Sequence, residues 1–360
     1  MRLASYNIEW FNALFDEHGH PLEDNAPSSR YEISRADQLA ALGIVFTAIN
    51  ADAVLVIEAP DQSTSRSCVK ALENFARLYD LRTRKALIGF SNETQQEVAL
   101  LYDPDVISAR HDPKGNANGK TDAVDDPRFD GTLRMDLDID GSLDTVNFAK
   151  PPLEIALRAG GAVLRLIGVH MKSKAPHGVR NPAQRLRLSI ENRRKHLAEC
   201  IWLRRRVVKH LRAGEPLIVL GDFNDGPGLD DYEQLFGRSG IEIVLGLDGP
   251  ETERLFDPHA QLVIGSKQGA RPTSARFYLS DPPRYFSSML DYLMVSPDIA
   301  ALGPRWRIWH PFDDPGCFRV PDLRDALLAA SDHFPVSIDL SDAALLALGP
   351  PHRAKSHRRV

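Results

Sequence analysis

The hydrophobic pattern of this chain changes period as it runs. Leu3 to Glu9 and Ala53 to Glu58 are apolar runs of strand length, each ending at a polar tip. Between them, Ser34 to Asn50 repeats apolar residues at helical spacing and predicts an amphipathic helix. A second helix is predicted around Arg66 to Leu78. Strand-like runs follow at Glu97 to Tyr102, Val106 to Arg110, Leu133 to Ile139, Leu153 to Leu157 and Val163 to His170, punctuated by Asp, Gly and Pro. A long helix is then predicted from about Pro182 to Leu211. Leu197, Ile201, Val207, Val208 and Leu211 share one face of it, with the arginines outside. Gly214 stops that helix, and Pro216 to Leu220 is a buried strand leading to Asp222. Strands near Leu290 to Val295 and Phe334 to Leu340 complete the set. Gly115 to Gly131 and roughly Gly246 to Pro283 read as long loops.

No internal repeat and no Pro/Gly/Ser-rich linker divides the 360 residues, so residues 1–348 are expected to form one domain. The stretch 349–360 is basic, Pro-rich and poor in apolar residues, and is expected to be disordered. Hydrophobic residues at 43% and charged residues at 26% are what a soluble protein with a sizeable core requires. Cys68, Cys200 and Cys317 are odd in number and lack Cys-x-x-Cys spacing. They therefore predict neither a disulfide framework nor a zinc site, and the expected compartment is reducing, hence cytoplasmic. No signal peptide is read at the N-terminus. The longest apolar stretch, Ala40 to Val56, is broken by Thr47, Asn50 and Asp52, so no membrane span is expected.

The net charge of −5 argues against wholesale coating of nucleic acid, yet it hides an asymmetry. Gln184 to Arg212 carries ten Lys or Arg against Glu191 and Glu199. Such a stripe suits contact with a phosphate backbone, and equally the solvated face of an ordinary helix.

Candidate chemistry sits at the ends of the apolar runs. Asn7, Glu58, His170, Asp222-Phe223-Asn224 and Ser331-Asp332-His333 each follow one, and Asp291 lies among hydrophobic neighbours. Carboxylates hold a hard cation, amides and histidines grip phosphoryl oxygens, and a histidine handles a proton. The combination points to metal-assisted attack on a phosphate. Taken singly, each residue has a plainer role: Asn7 could cap a turn, Asp291 could satisfy backbone donors, and His170 could be a hydrogen-bonded core histidine. Asp222 to Pro227 could be a turn. Trp10, Pro104 and Phe223 are read as packing or turn residues. Asp313-Asp314 and the cluster Asp122, Asp125, Asp126 are read as solvated acidic loops rather than cation sites.

The ordered set Asn7, Glu58, His170, Gly221-Asp222-Phe223-Asn224, Asp291 and Ser331-Asp332-His333 resembles the endonuclease/exonuclease/phosphatase (DNase-like) superfamily. The resemblance implies an α/β fold, a four-layer α/β sandwich of two packed mixed β-sheets flanked by helices. It implies a Mg²⁺-dependent phosphoric ester hydrolase, with Mn²⁺ able to substitute. By the same resemblance Glu58 is the principal metal carboxylate, with Asn7 beside it and Asp332 as a second metal or water-organising acid. Asp222 and Asn224 orient the water and the scissile phosphate, and His333 and His170 are the two site histidines. Asp291 sets the tautomer of His333, and either Gln96 or Glu97 faces His170. Lys150 stands where the family often has Arg, and Lys172 and Lys174 are expected to contact substrate. The reading is a phosphodiesterase acting on nucleic acid, DNA foremost, with no obligate protein partner evident. The alternatives are a phosphatase or lipid phosphodiesterase of the same fold, or an inactive binding scaffold. The absence of an evident hydrophobic membrane-contact hairpin favours nucleic acid.

Overall fold

The computed structural model describes residues 1–117, 126–136, 141–176, 181–226, 237–265, 271–280 and 283–349. The Asp122 and Asp125 expectation, the end of the Leu133 to Ile139 run, Pro227 and the tail from 350 lie outside these residues.

Fifteen strands are described. They are β1 (Arg2–Asn7), β2 (Ala53–Ala59), β3 (Lys85–Ile88), β4 (Glu97–Tyr102), β5 (Ile107–His111), β6 (Leu133–Met135), β7 (Asp144–Val146) and β8 (Leu153–Ala159). The rest are β9 (Ala162–His170), β10 (Leu217–Asp222), β11 (Ala275–Ser280), β12 (Pro283–Ser288), β13 (Asp291–Val295), β14 (Arg305–Ile308) and β15 (Val336–Asp339). A six-stranded sheet runs β14-β15-β1-β2-β4-β3 and a five-stranded sheet runs β13-β10-β9-β8-β5. Both are mixed, with β1 parallel to β2 and β9 parallel to β10 among otherwise antiparallel neighbours.

The period of two along each strand builds the layers. In β1, Leu3 faces the other sheet, whereas Ala4 and Tyr6 face helices. In β9 and β10, Leu164, Leu166, Ile218 and Leu220 pack between the sheets, and Ile167, Val169, Leu217 and Val219 pack under α3 (Pro182–Arg212). Helices α1 (Arg35–Ile49) and α2 (Cys68–Leu78), together with the helix Pro321–Ala330, cover the six-stranded sheet. The result is the expected four-layer α/β sandwich, helix–sheet–sheet–helix.

Three expectations are corrected. Helix α1 is not one-sided: Gln38, Leu39, Ala41, Leu42, Gly43, Val45, Phe46 and Ile49 are buried around most of it, because the helix Pro321–Ala330 packs against it in addition to the sheet core. Helix α3 does not keep all its arginines outside. Arg206 is buried, with Nη1 2.5 Å from Glu154 Oε1 and its guanidinium 4.8 Å from the Phe129 ring centroid. Gly246 to Pro283 is not a loop, since it contains the helix Pro258–Gly265 and β11, which pairs with β12 as a hairpin. Of the acidic pairs, Asp314 binds Arg307 and caps the helix Pro315–Phe318, and Asp126 pairs with Arg206 and Lys209.

Candidate active site

The alternation that separates the layers also selects the polar cluster. Asn7, His170, Asp222 and Asp291 each occupy the inward-facing position at one end of their strand, continuing the rows Leu3, Leu166, Leu220 and Leu293. Register aligns them, for Asp222 pairs across its ladders with both His170 and Asp291. Between the sheets apolar packing gives way at this end to a buried polar layer, with Asn7, His170, Asp222 and Asp291 almost inaccessible.

Glu58 reaches the site by a different device. Alternation would send it outward with Val54 and Val56, yet it is the extra residue of a β-bulge at φ 57°, and Ala59 takes the outward place. Its Oε2 accepts from the backbone N–H of Trp10 at 3.1 Å. Trp10 itself is 50% exposed and sits in a turn at φ 58°, the turn half of its packing-or-turn reading.

Around Asp222 the hydrogen bonds converge. Its Oδ2 accepts from Asn7 Nδ2 at 2.9 Å and from Asn224 Nδ2 at 3.2 Å, and Oδ1 accepts from the Asn224 backbone N–H at 2.8 Å. Gly221 makes the approach possible: at φ 142° an added Cβ would lie 2.0 Å from the Val169 carbonyl oxygen, closer than any real contact. Phe223 is buried edge-on against Tyr292, as a packing residue should be. Burial pushes the Asp222 carboxyl up, with Asp291 adding to the rise while His333 opposes it.

His333 Nδ1 lies 2.7 Å from Asp291 Oδ2, which also accepts from Ser274 Oγ at 2.8 Å. Burial alone would lower the imidazole pKa, but the charge and hydrogen bond of Asp291 raise it well above the ordinary value. His333 Nε2 is 4.0 Å from Asp332 Oδ1. Ser331 ties this segment to β1 by donating to the Asn7 carbonyl at 2.8 Å and accepting from the Glu9 N–H at 3.2 Å.

On the other side of Asp222, His170 Nε2 is 3.7 Å from Asp222 Oδ2 and 3.1 Å from Lys150 Nζ. Burial and the Lys150 charge hold His170 well below the ordinary histidine pKa, so it is neutral and its Nε2 accepts from Lys150. His170 Nδ1 has no hydrogen-bond partner, so neither Gln96 nor Glu97 bonds to it. Glu97 accepts from Asn92 and Gln62 instead, and burial pushes its carboxyl up to about 7.

The two lysines after His170 differ from expectation. Lys174 forms an ion pair with the buried Asp225, which also accepts from the Gly226 and Gly240 N–H groups. Its charge is therefore engaged within the protein. Lys172 gives its backbone N–H to Glu199 Oε2 at 2.8 Å, and its side chain lines a surface cavity of about 510 Å³ with Phe148, Arg194 and Lys195.

Two carboxylates were not anticipated as site groups. Glu9, two residues beyond Asn7 and so on its face, is pushed up to about 7 by burial and by Asp332 and Glu58, against the pull of Arg30. The alternation Asn7-Ile8-Glu9 could have shown this. Glu199 is buried and likewise raised to about 7, with Lys150 and Lys172 as the nearest cations lowering it. It was read only as a minority acid on a basic helix.

The donor set suits a hard divalent cation. Asn7 Oδ1 is buried without a hydrogen-bond partner, and the Glu58 carboxylate is fixed beside it in the strand ladder, with Asp332 close enough to raise its pKa. Asp222, Asp291 and His333 also offer three ligand atoms within 4.8 Å of one another. Those atoms, however, are occupied by Asn7, Asn224 and by the His333–Asp291 bond itself.

The chain is similar in fold to several solved proteins. A 3′-5′ exonuclease from Neisseria meningitidis shares 14% identity over 95% of this chain and 100% of its own, at a TM-score of 0.47. D. rerio TDP2 complexed with single-strand DNA product shares 12% over 94% and 97%, at 0.47. The human Nocturnin catalytic domain with bound sulfate shares 14% over 95% and 94%, at 0.44. No curated protein sequence matches significantly. The sequence profile of the Endonuclease/Exonuclease/phosphatase family, whose members hydrolyse phosphoric esters, matches residues 4–333, the span that holds every residue of the cluster. The chain belongs to that family.

Proposed function

We propose that the chain is a divalent-metal-dependent phosphodiesterase that cleaves nucleic acid, DNA foremost, by direct attack of water on phosphorus, with residues 1–348 as its catalytic domain. The observation that carries this reading is the pairing of a pKa-raised, doubly amide-bound Asp222 with an Asp291-bound, protonated His333 across one cleft end. Asp222 orients the attacking water and takes its proton, because burial makes its carboxylate a stronger base than an exposed one. Asn224 holds Asp222 in place, its Nδ2 shared between Asp222 Oδ2 and the Met171 carbonyl. His333 presents a protonated Nε2 to the phosphoryl oxygens, and Lys150 adds a second positive charge. Asn7 and Glu58, with Asp332, would hold Mg²⁺ or Mn²⁺. The cation would supply fixed positive charge against the developing negative charge on the phosphate.

Two features support a polyanionic substrate. Arg185 and Arg187 are exposed on the first turns of α3. Lys172 lines a surface cavity with Arg194 and Lys195 of the same helix, whereas Arg204, Arg206, Lys209 and Arg212 are engaged by Asp126, Glu154, Glu253 and backbone carbonyls.

One observation favours the lipid phosphodiesterase alternative. The strands β11 and β12 pair in a segment read from sequence as a long loop or insertion, and they expose Tyr278 and Tyr285. Among the described residues no helix is long and apolar enough to cross a membrane. A panel of plasmid, single-stranded DNA, RNA, lipid diesters, bis-(p-nitrophenyl) phosphate and p-nitrophenyl phosphate, run with Mg²⁺ and Mn²⁺, tests the choice. Cleavage of nucleic acid and the small diester is expected. Ready hydrolysis of a monoester or lipid head group with nucleic acid untouched would overturn the proposal.

A further inference from the structure

The hairpin β11–β12 is rooted in the candidate active site. Ala275 bridges to His333, the Arg276 N–H donates to the Asp332 carbonyl at 2.7 Å, and the Phe334 N–H donates to the Ser274 carbonyl at 2.6 Å. Ser274 Oγ is the hydroxyl that holds Asp291. From that root the two strands carry one side-chain face outward. Register pairs Arg276 with Ser287 and Tyr278 with Tyr285, so these four share a face, while Phe277 and Phe286 pair on the other and are half-buried.

The outward face is aromatic and cationic. Tyr278 is 59% exposed and Tyr285 62%, with ring centroids 5.5 Å apart. The Arg276 guanidinium lies 4.1 Å from the Tyr285 centroid and 5.3 Å from that of Phe312, itself 43% exposed. Phe312 in turn neighbours His310, whose ring packs on Phe334, the residue after His333. Tyr278, Tyr285, Arg276 and Phe312 thus form an accessible row, and the buried His310 and Phe334 rings tie it to the catalytic segment. Within the two strands Arg276 and Arg284 are the charged residues, and there is no acid.

Resting on the phosphodiesterase reading above, we propose that this row is a stacking platform for the unpaired bases of a single-stranded nucleic acid whose backbone enters the site beside Asp332 and His333. Every base has a π face, so tyrosine rings can stack on any sequence, and the Arg276 guanidinium beside them meets a phosphate. An acyl-chain partner would instead favour exposed Phe and Leu. Within the hairpin the phenylalanines face the other side, and the two exposed rings carry hydroxyls. Duplex bases are already stacked within the helix and present no free face, which makes the platform selective for single strands or frayed ends.

The test measures equilibrium binding of a fluorescent single-stranded oligonucleotide, of the matched duplex and of anionic phospholipid vesicles, in EDTA so that no cleavage intervenes. Native protein is expected to prefer the single strand. Tyr278→Ala/Tyr285→Ala should weaken that binding roughly a hundredfold, the scale for two lost base stacks, and Tyr278→Phe/Tyr285→Phe should restore most of it. Thermal melting separates misfolding from loss of the platform. The platform is overturned if the Ala variant binds the oligonucleotide like native protein, or if native protein prefers duplex or vesicles. Failure of the parent reading looks different: native protein would then cleave no phosphodiester, whatever its binding.

Discussion

His333 and Asp291 come from segments 42 residues apart and meet at 2.7 Å in a buried bond that the sheet register fixes at the end of β13. Asp291 holds the imidazole by Nδ1 and leaves Nε2 for substrate. If that is how the pair works, Asp291→Asn and His333→Ala disable the same group. Each is expected to lower kcat about a hundredfold or more, the scale of a positioned acid–base residue. The double variant should lose little beyond either single one. A double-mutant cycle on bis-(p-nitrophenyl) phosphate hydrolysis measures this, and losses that simply multiply would refute the pairing.

Glu58 brings its charge to the site as the inserted residue of a bulge, beside an Asn7 Oδ1 that has no other partner. Glu58→Gln keeps the shape and loses the charge that a hard cation needs. Turnover should vanish in EDTA and return with Mg²⁺ or Mn²⁺, and the Gln variant should need at least tenfold more metal for half-maximal rate. Calorimetric titration of Mn²⁺ gives an independent reading. Undiminished turnover in excess EDTA would dispose of the metal assignment.

The strand-end residues were legible because the period of two and the family order speak about backbone position, which short motifs encode. Asn7, Glu58, His170, Asp222 and Asp291 all lie at strand ends as read. Partner choice was much less legible. Lys174 and Lys172 differ by two residues, yet one faces the buried Asp225 and the other lines an open surface, a difference set by where the chain turns after Asn224. Arg206 escaped for the same reason, since its partner Glu154 lies on a strand 52 residues away. The hairpin was missed because Arg276-Phe277-Tyr278-Leu279 alternates weakly, and its folding depends on the Asp332 and Ser274 backbone contacts at its root.

The Lys174–Asp225 pair makes a prediction that sequence reading would have reversed. Lys174→Ala leaves the buried Asp225 carboxylate accepting from the backbone N–H groups of Gly226 and Gly240, with His196 near it. Removing one partner of a buried pair costs about 3 kcal/mol. Thermal or urea unfolding should show that loss for Lys174→Ala. Lys172→Ala should leave the midpoint within the scatter of surface substitutions and instead flatten the salt dependence of DNA binding by about one unit of slope. Equal destabilisation by both substitutions would contradict the pairing.

Far from the site, the acid Glu215 joins α3 to the start of β10. Its carboxylate takes the His210 Nδ1 hydrogen bond and lies 2.9 Å from Arg165 Nη2, and these contacts hold its pKa at about 2. His210 is raised in turn: burial opposes its charge, but Glu154 and Glu215 outweigh it. The signs of the two shifts are opposite. A depressed carboxylate stabilises the fold above its unfolded pKa of about 4.3, and that contribution fades as pH falls toward 2. A raised histidine stabilises below its unfolded pKa of about 6.5, and that contribution fades as pH rises through the higher folded value. Together they predict a stability plateau from about pH 4.5 to 6.5 with losses on both flanks. Glu215→Gln should remove the acid-side dependence and reduce the alkaline-side one, because His210 then keeps only Glu154 as an anionic neighbour. Because Glu215 is only partly buried, with 26% of its side chain exposed, solvent screening keeps the effect on the melting temperature to a few degrees. Melting curves of native protein and Glu215→Gln at half-unit intervals from pH 2.5 to 8.5 decide it, and parallel profiles for the two proteins would show that the bridge carries none of the pH dependence.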